Sequence, residues 1–199
     1  MTLPEVINDI LGTRTPKRIE NGKTPYQDAS VLIPIIGDGT EYKVLFTKRT
    51  NDVQTHKGQI SFPGGAKDEG DGTFEETALR ETEEEIGLAG KDVDILGKVD
   101  DIMTVESNFI VHPFVGMAPY PYDFTINRRE VERILLVPLD VFHPENRDTR
   151  RDSFVYEGVT YWGVAWEYEN DVIWGATARI MANFVSIMGN HLPLQGIEK

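Results

Sequence analysis

Three glutamates in one short segment have the spacing of a metal-binding face. From Arg80 to Leu88 the chain reads Arg-Glu-Thr-Glu-Glu-Glu-Ile-Gly-Leu. On a helix that turns by ~100° per residue, Glu81, Glu84 and Glu85 fall on one face about 100° wide. Like charges at these spacings repel by about 0.2–0.5 kcal/mol per pair, and a divalent cation would remove that repulsion. Carboxylate oxygens in this number suit Mg²⁺ or Mn²⁺.

Such a site predicts the hydrolysis of a diphosphate linkage. The metal ions would neutralise the charge of the diphosphate and lower the pKa of a bound water, and one glutamate would take the proton of that water. The alternative is a solvated acidic helix, which is the commoner state of a glutamate-rich helix considered alone. The motifs around the segment decide between these two interpretations.

A helix over residues 73–86 is predicted to carry these glutamates. Thr73 and Glu76 have the spacing of a capping box, and Gly87 is suited to end the helix. The side chains expected to pack inward beside the glutamate face are Ala78, Leu79, Thr82 and Ile86. The helix therefore presents a buried stripe next to a stripe of carboxylates.

The elements around this helix are mostly strands. Amphipathic helices are predicted at residues 3–11 and 177–188, and residues 12–27 are predicted to form a surface loop. Clusters of apolar and β-branched residues predict strands at residues 29–36, 42–48, 94–99, 110–115, 134–137, 153–156 and 160–168. This order predicts an α+β fold, an αβα sandwich with a mixed sheet in a single domain. We expect the domain at residues 29–190, a packed N-terminal helix and loop at 1–28 and a tail at 191–199.

Charge and composition exclude several classes of protein. The 199 residues include 33 acidic and 20 basic ones, a net charge of −13, which disfavours binding to a nucleic-acid backbone. The absence of cysteine excludes disulfides, thiolate metal sites and a cysteine nucleophile. No apolar run approaches the ~20 residues that cross a bilayer, and the first residues lack the features of a signal peptide. A cytoplasmic protein without a membrane partner is expected.

The order of the motifs resembles the Nudix hydrolase family, whose box reads G-x5-E-x7-R-E-U-x-E-E-x-G-U with U apolar. Residues 80–88 match its second half, with Thr82 at a position that is usually apolar, and Phe62-Pro63-Gly64-Gly65 precedes it. Fourteen residues separate Gly65 from Arg80, one more than the box allows. The first box acid is therefore Asp71 when counted from Gly65, whereas the position is Gly72 when counted from Arg80.

The extra residue and the preceding segment resemble a Nudix subgroup that hydrolyses coenzyme A. The subgroup has a stretch like T-x-R-S-x3-R-x-H-x-G-x3-F-P-G-G, which Thr47, Arg49, His56 and Gly58 match here, while Gln54 stands at the second arginine. Further similar segments lie at residues 100–104, 109–116, 127–131, 137–139 and 173–178, so that the resemblance covers residues 29–187 approximately.

The resemblance implies a Nudix-like fold, Mg²⁺ or Mn²⁺ as cofactor, and roles for particular residues. Arg80 would orient a glutamate, and Glu130 would be a further carboxylate outside the helix. The full catalytic set would be Arg80, Glu84, Glu85 and Glu130, and the metal ligands Gly65, through its carbonyl, with Glu81, Glu84 and Glu85. Because the ligand is an anion, the basic residues nearest the box are candidates to bind its phosphates. They are Lys48, Arg49, His56 and Lys57.

Other residues of interest have expected structural roles. His112, beside Pro113 on an apolar strand, is expected to be a core histidine rather than a ligand. Core or dimer contacts are expected for the large aromatic residues of the C-terminal part, although one of them could stack on adenine. They are Tyr156, Tyr161, Trp162, Trp166 and Trp174. A homodimer is compatible with this pattern.

The leading interpretation is the hydrolysis of coenzyme A or acyl-coenzyme A. The resemblance implies adenosine 3′,5′-bisphosphate and 4′-phosphopantetheine, or its acyl form, as products. The same chemistry on ADP-ribose, a dinucleotide or a nucleoside triphosphate is an alternative that Gln54 keeps open. A Nudix-fold module that binds a nucleotide without hydrolysis is a second alternative, which the intact set of Arg80, Glu81, Glu84 and Glu85 disfavours.

Overall fold

The helices and strands follow the predicted order. The computed structural model describes residues 1–22, 25–50, 58–104, 107–146, 149–156 and 158–192. The helices are α1 (Leu3–Thr13), α2 (Phe74–Ile86) and α3 (Gly175–Met188), with short 3₁₀ turns at Gly90–Asp92, Leu139–Phe142 and Gly189–His191. The strands are β1 (Gln27–Gly37), β2 (Tyr42–Arg49), β3 (Ile60–Ser61), β4 (Gly64–Ala66), β5 (Asp94–Lys98), β6 (Ile102–Met103), β7 (Phe109–Ala118), β8 (Val131–Pro138), β9 (Arg150–Tyr156), β10 (Val159–Tyr168) and β11 (Asp171–Ile173).

The main sheet is mixed and is built outward from β1. This strand pairs in parallel with β7 and antiparallel with β2 and β4. The sheet continues through β3 and β8, which pair with β2, and through β5 and β6, which pair with β7. A second sheet contains β9, β10 and β11 in antiparallel order. The sequence predicted β9 and β10 but did not separate them from the main sheet.

Alternating side chains of the central strands enter two separate cores, because successive residues of a strand point to opposite faces. In β1, Ile33 and Ile35 join a core that includes residues of α1 and α3, whereas Leu32 and Ile36 join a core that includes residues of α2. Helices thus cover both faces of the main sheet. The predicted αβα sandwich with a mixed sheet in one domain is confirmed.

Both ends of α2 are fixed by the predicted caps. Thr73 Oγ1 accepts a hydrogen bond from the Glu76 N–H at 3.1 Å, and the Thr73 N–H donates to Glu76 Oε2 at 2.9 Å. Gly87 adopts a φ of 71° and donates its N–H to the Glu83 carbonyl at 2.8 Å. A residue with a Cβ would be strained there, so glycine ends the helix at this point.

Only some of the residues expected to have core roles are fully buried. His112 is buried, and its ring stacks on Phe74 with the centroids 3.7 Å apart. Trp166 is buried as well. Trp162, in contrast, is 85% exposed, so it is not a core residue, and Tyr161 and Trp174 are partly buried. The side chain of Tyr156 lies outside the described part of the structure.

The domain boundaries at residues 28 and 190 stay a prediction. The described helices include none that is long and apolar enough to span a membrane. Residues 193–199, which form most of the expected tail, lie outside the described residues.

Candidate active site

Arg80 is at the centre of a network of ion pairs on α2. Its Nε and Nη2 donate to the two carboxylate oxygens of Asp71 at 2.9 and 3.0 Å. Its Nη1 donates to Glu81 Oε1 at 2.8 Å and to Glu84 Oε2 at 3.3 Å. A further bond from Nη2 to the Ala66 carbonyl, at 3.2 Å, ties the helix to β4. Arg80 therefore holds the Glu81 carboxylate from one side, which is what the orienting role requires.

Asp71 is the acid that pairs with Arg80. The structure therefore favours the count from Gly65, which gives Asp71 as the first acid of the box, over the count from Arg80, which gives Gly72. The extra residue of the box is accommodated in the loop between β4 and α2. Thr77 Oγ1 also donates to Asp71 Oδ2 at 2.9 Å. The Arg80 guanidinium holds the pKa of Asp71 well below its usual range, and Asp71 in turn raises the pKa of Arg80. Both groups stay charged, and their bidentate geometry fixes the guanidinium plane.

Glu85 is a buried carboxylate with few partners. Its Oε1 lies 3.8 Å from Arg49 Nη1, which is beyond hydrogen-bonding distance. Its Oε2 is buried and has no hydrogen-bond partner among the described residues. Burial raises the pKa of Glu85 to about 8; Arg49 and a hydrogen bond from the Gly64 N–H oppose this, whereas Glu130 and Glu81 add to it. A cation or a proton would satisfy this group.

The carboxylate of Glu81 lies against the backbone of Gly65. A Cβ built on Gly65 would lie 2.5 Å from the Glu81 carboxylate, so a side chain at this position would displace the carboxylate. Burial raises the pKa of Glu81, Arg80 lowers it, and the charges of Glu84 and Glu130 raise it further. Gly65 and Glu81, two of the predicted metal ligands, are therefore neighbours in space.

Glu84 and Glu130 border these two glutamates. The side chain of Glu84 is 59% exposed and is held by Arg80. Glu130 precedes β8, and its charge raises the pKa of both Glu81 and Glu85. The predicted acids are thus gathered near the end of α2. Within the described ranges, however, no three acidic or histidine side chains converge closely enough to form a complete metal centre.

The predicted phosphate-binding residues are divided between the two faces of the sheet. Adjacent residues of β2 point in opposite directions, so Arg49 faces α2 and Glu85, whereas Lys48 contacts Asp171 of β11 at 3.3 Å. The structure brings Arg49 to the glutamates and does not bring Lys48 there. His56 and Lys57 lie outside the described residues.

Two residues of the site were not identified from the sequence. Asn127 donates its side-chain amide to Glu130 Oε1 at 3.0 Å, and the Gly64 N–H lowers the pKa of the Glu85 carboxylate. Gly64 belongs to the Phe-Pro-Gly-Gly motif, so the motif already indicated that this residue lies near the site. Asn127 is far from the box in sequence; it belongs to the segment 127–131 that resembles the subgroup, but a role was predicted there only for Glu130.

The chain belongs to the Nudix family. The model of the NUDIX domain matches residues 26–157, which contain Gly65, Asp71, the α2 glutamates and Glu130. Together with relatives that are Nudix hydrolases, this match identifies the chain as a pyrophosphohydrolase of that family.

The relatives cover most of the chain. The Nudix hydrolase NudL of Pectobacterium atrosepticum is 35% identical over 159 residues, which are 78% of this chain and 79% of that protein. NudL of Yersinia pestis is 36% identical over 157 residues, 77% of this chain and 75% of that protein. A MutT/nudix family protein from Enterococcus faecalis shares the fold, with a TM-score of 0.54, 13% identity and coverage of 94% of this chain and 70% of that chain.

Proposed function

We propose that this Nudix hydrolase cleaves the diphosphate linkage of coenzyme A or acyl-coenzyme A. The products would be adenosine 3′,5′-bisphosphate and 4′-phosphopantetheine or its acyl form. The observation that carries this proposal is the segment from Thr47 to Gly65, which resembles the coenzyme A subgroup. In the structure the segment brings Arg49 to the face of α2 and Gly65 to the carboxylate of Glu81. A guanidinium beside the catalytic glutamates is well suited to hold a phosphate of the substrate.

The chemistry of the donor groups fits Mg²⁺ or Mn²⁺, which we propose as the cofactor; the described carboxylates would have to move closer together to bind one ion. Glu85 Oε2 is buried without a hydrogen-bond partner in the described chain, and Glu81 is a partly buried neighbour of like charge. The proposed ligands, Gly65 through its carbonyl with Glu81, Glu84 and Glu85, offer the hard oxygen atoms that these ions prefer. When bound, a divalent ion would neutralise charge on the diphosphate and make a bound water more acidic.

The residues of the chain itself would orient the substrate and move the proton. Arg80, fixed by Asp71, would keep Glu81 in place, and Arg49 would bind a phosphate oxygen. Glu85 would accept the proton of the attacking water, because a divalent ion bound beside it would keep this buried carboxylate ionised. Glu84 and Glu130 are the further proposed catalytic carboxylates, and the charge of Glu130 raises the pKa of both Glu81 and Glu85.

Product analysis in H₂¹⁸O tests this function directly. With coenzyme A and Mg²⁺ we expect the two named products, with ¹⁸O on one of them. The variant Glu85→Gln and the native protein in EDTA are the controls for a contaminating hydrolase. Intact coenzyme A after incubation with the native protein and Mg²⁺ would refute the substrate.

A substrate panel separates coenzyme A from the alternative substrates. The 3′-phosphate carries up to two negative charges, and a chain of net charge −13 needs local basic groups to hold it. One charge-assisted contact is worth ~1.5–3 kcal/mol, so dephospho-coenzyme A should show a kcat/KM roughly tenfold to hundredfold lower. Equal values would remove recognition of this phosphate. Faster hydrolysis of ADP-ribose would favour the second candidate, which rests on Gln54 at the subgroup's arginine position.

A further inference from the structure

The loop before β8 is tied to the end of α2 at Asn127. The Asn127 N–H donates to the Glu85 carbonyl at 2.9 Å, and the Thr125 N–H donates to the Ile86 carbonyl at the same distance. These carbonyls belong to the last turn of α2, which has no partners of its own for them. The loop therefore caps the helix and takes its position from the residue that carries the buried carboxylate.

The same asparagine holds the carboxylate of Glu130. Its Nδ2 donates to Glu130 Oε1 at 3.0 Å, and its Oδ1 accepts the Arg129 N–H at 3.2 Å, which forms an Asx turn. The Asn127 carbonyl accepts the Glu130 N–H at 3.1 Å. One residue thus fixes both the backbone and the side chain of Glu130 relative to the backbone of Glu85.

We propose that Asn127 is a positioning residue, whose side-chain amide holds the Glu130 carboxylate beside Glu81 and Glu85. This inference rests on the proposed function, because it assigns Glu130 to the same site. Three carboxylates of like charge would otherwise separate, and a flexible loop carboxylate would occupy the site only part of the time. The amide donor offsets that repulsion without adding a charge.

Asn183 provides a matched control elsewhere in the fold. Its Nδ2 donates to Asp100 Oδ2 at 3.2 Å, and its Oδ1 accepts the Asp100 N–H at 3.0 Å. Asn183 and Asn127 therefore have the same pair of contacts, one to a carboxylate and one to a backbone N–H. Asn183 belongs to α3 and joins it to the residues after β5, away from the glutamates of α2.

Two substitutions separate positioning from the structural role of the Asx turn. Asn127→Asp keeps an oxygen for the Arg129 N–H and replaces the amide donor by an anion that faces Glu130. Asn127→Ala removes both groups. If the amide positions Glu130, both variants should lose roughly tenfold to hundredfold in kcat with little change in KM, as partners of ligand residues typically do. If only the turn matters, Asn127→Asp should have the native kcat.

A double-mutant cycle with Glu130→Gln completes the test. Because Asn127 is proposed to act through the carboxylate of Glu130, Asn127→Ala should cause no further loss of kcat in the Glu130→Gln background. Asn183→Ala should lower the melting temperature but keep the native kcat. A loss of kcat by Asn127→Ala that is the same with and without Glu130 would overturn the inference, as would native kcat in Asn127→Asp.

The test does not depend on coenzyme A being the substrate. The double-mutant cycle is run with whichever diphosphate of the substrate panel is hydrolysed. If coenzyme A proves not to be the substrate, the test of Asn127 is therefore unaffected. Calorimetric titration of the same four proteins with Mn²⁺ gives a readout besides activity. Glu130 adds negative charge near the proposed ligands Glu81 and Glu85, so Asn127→Ala should bind Mn²⁺ more weakly than the native protein. The same substitution should cause no further weakening in the Glu130→Gln background. This result is expected even if no diphosphate is hydrolysed. Equal Mn²⁺ affinity in all four proteins would overturn the inference in that case.

Discussion

Two buried carboxylates in this protein differ in their partners far more than in their depth. The side chain of Asp101 is 0% exposed and that of Glu85 is 4% exposed. Asp101 accepts the Ile19 N–H at 2.9 Å, forms an ion pair with Arg18 and lies 3.1 Å from His112 Nδ1. Burial alone would raise the pKa of Asp101, but these partners lower it. Glu85 lacks such a set, and burial raises its pKa to about 8.

The number of hydrogen-bond and ion-pair partners distinguishes a structural carboxylate, such as Asp101, from a reactive one, such as Glu85. Asp101 and its neighbour Asp100 fasten the segment that contains Arg14, Lys17 and Arg18 to the sheet, so their hydrogen bonds contribute to folding. Glu85 keeps a buried oxygen without a described partner, which costs stability. Perturbed carboxylates of this kind cluster at functional sites.

The largest expected effect is on turnover. Glu85→Gln should lower kcat by at least ~10², because it removes a metal ligand or base, and Glu84→Gln on the same helix face should do likewise. Asp101→Asn should lose stability and keep a kcat close to the native value. Steady-state assays at saturating Mg²⁺ provide the measurement. Near-native turnover in both glutamine variants would break the comparison, since Glu85 would then be merely an unsatisfied core residue.

The next effect is an opposite dependence of stability on pH in the metal-free protein. Glu85 binds its proton more tightly in the folded state, so its contribution is present below pH ~4.5 and is lost as the pH rises towards about 8. The lowered pKa of Asp101 gives the reverse: its contribution is present above pH ~4 and is lost on acidification.

Urea unfolding in EDTA at several pH values measures this contrast. Glu85→Gln should be more stable than the native protein at pH 9, by up to a few kcal/mol. The neutral amide removes a buried charge and its repulsion by Glu130 and Glu81, and these gains outweigh the lost attraction to Arg49. Asp101→Asn should be less stable than the native protein at neutral pH. Glu83→Gln, on the exposed side of the same helix, is the control. The same pH slope in Glu85→Gln and the native protein would contradict the prediction.

The sequence predicted those parts of the site that depend on local spacing. The capping box, the Gly87 end of α2 and the shared face of the glutamates follow from helical geometry within a few residues. Strand alternation places Lys48 and Arg49 on opposite faces of the sheet, so the prediction that both bind phosphate, which rests on closeness in sequence, fails to separate them. The partner of Arg80 depended on how one extra residue is absorbed in a loop. The role of Asn127 depended on a contact between the end of α2 and a loop far along the chain, for which spacing gives no signal.

A smaller effect is expected at Asp71, which sharpens the comparison because it is a well-partnered carboxylate within the site. Asp71→Asn removes the bidentate anchor of Arg80, so Glu81 loses its orientation. We expect roughly a tenfold loss of kcat and about 1–3 kcal/mol of stability. Asp68→Asn is the matched control, because Asp68 lies 3.8 Å from the same guanidinium with its side chain 72% exposed, and exposed pairs contribute ~0–1 kcal/mol. Equal effects of the two substitutions would show that Asp71 has no special role.

The smallest expected effect is a rise in melting temperature when Mg²⁺ or Mn²⁺ is added. An ion that binds only the folded state at ten times its Kd contributes about 1.4 kcal/mol, which is about 3–6 °C for a chain of this length. The gain comes from relief of the repulsion among Glu81, Glu85 and Glu130, so Glu85→Gln should lose most of the shift. Asp101→Asn should melt at a lower temperature than the native protein and yet keep the full shift, because the carboxylate of Asp101 contacts Arg18 and His112 and is not among the acids of α2. Melting curves of the native protein that coincide in EDTA and in excess metal would mean that the acidic face of α2 is only solvated, and the contrast between the two carboxylates would then reflect folding alone.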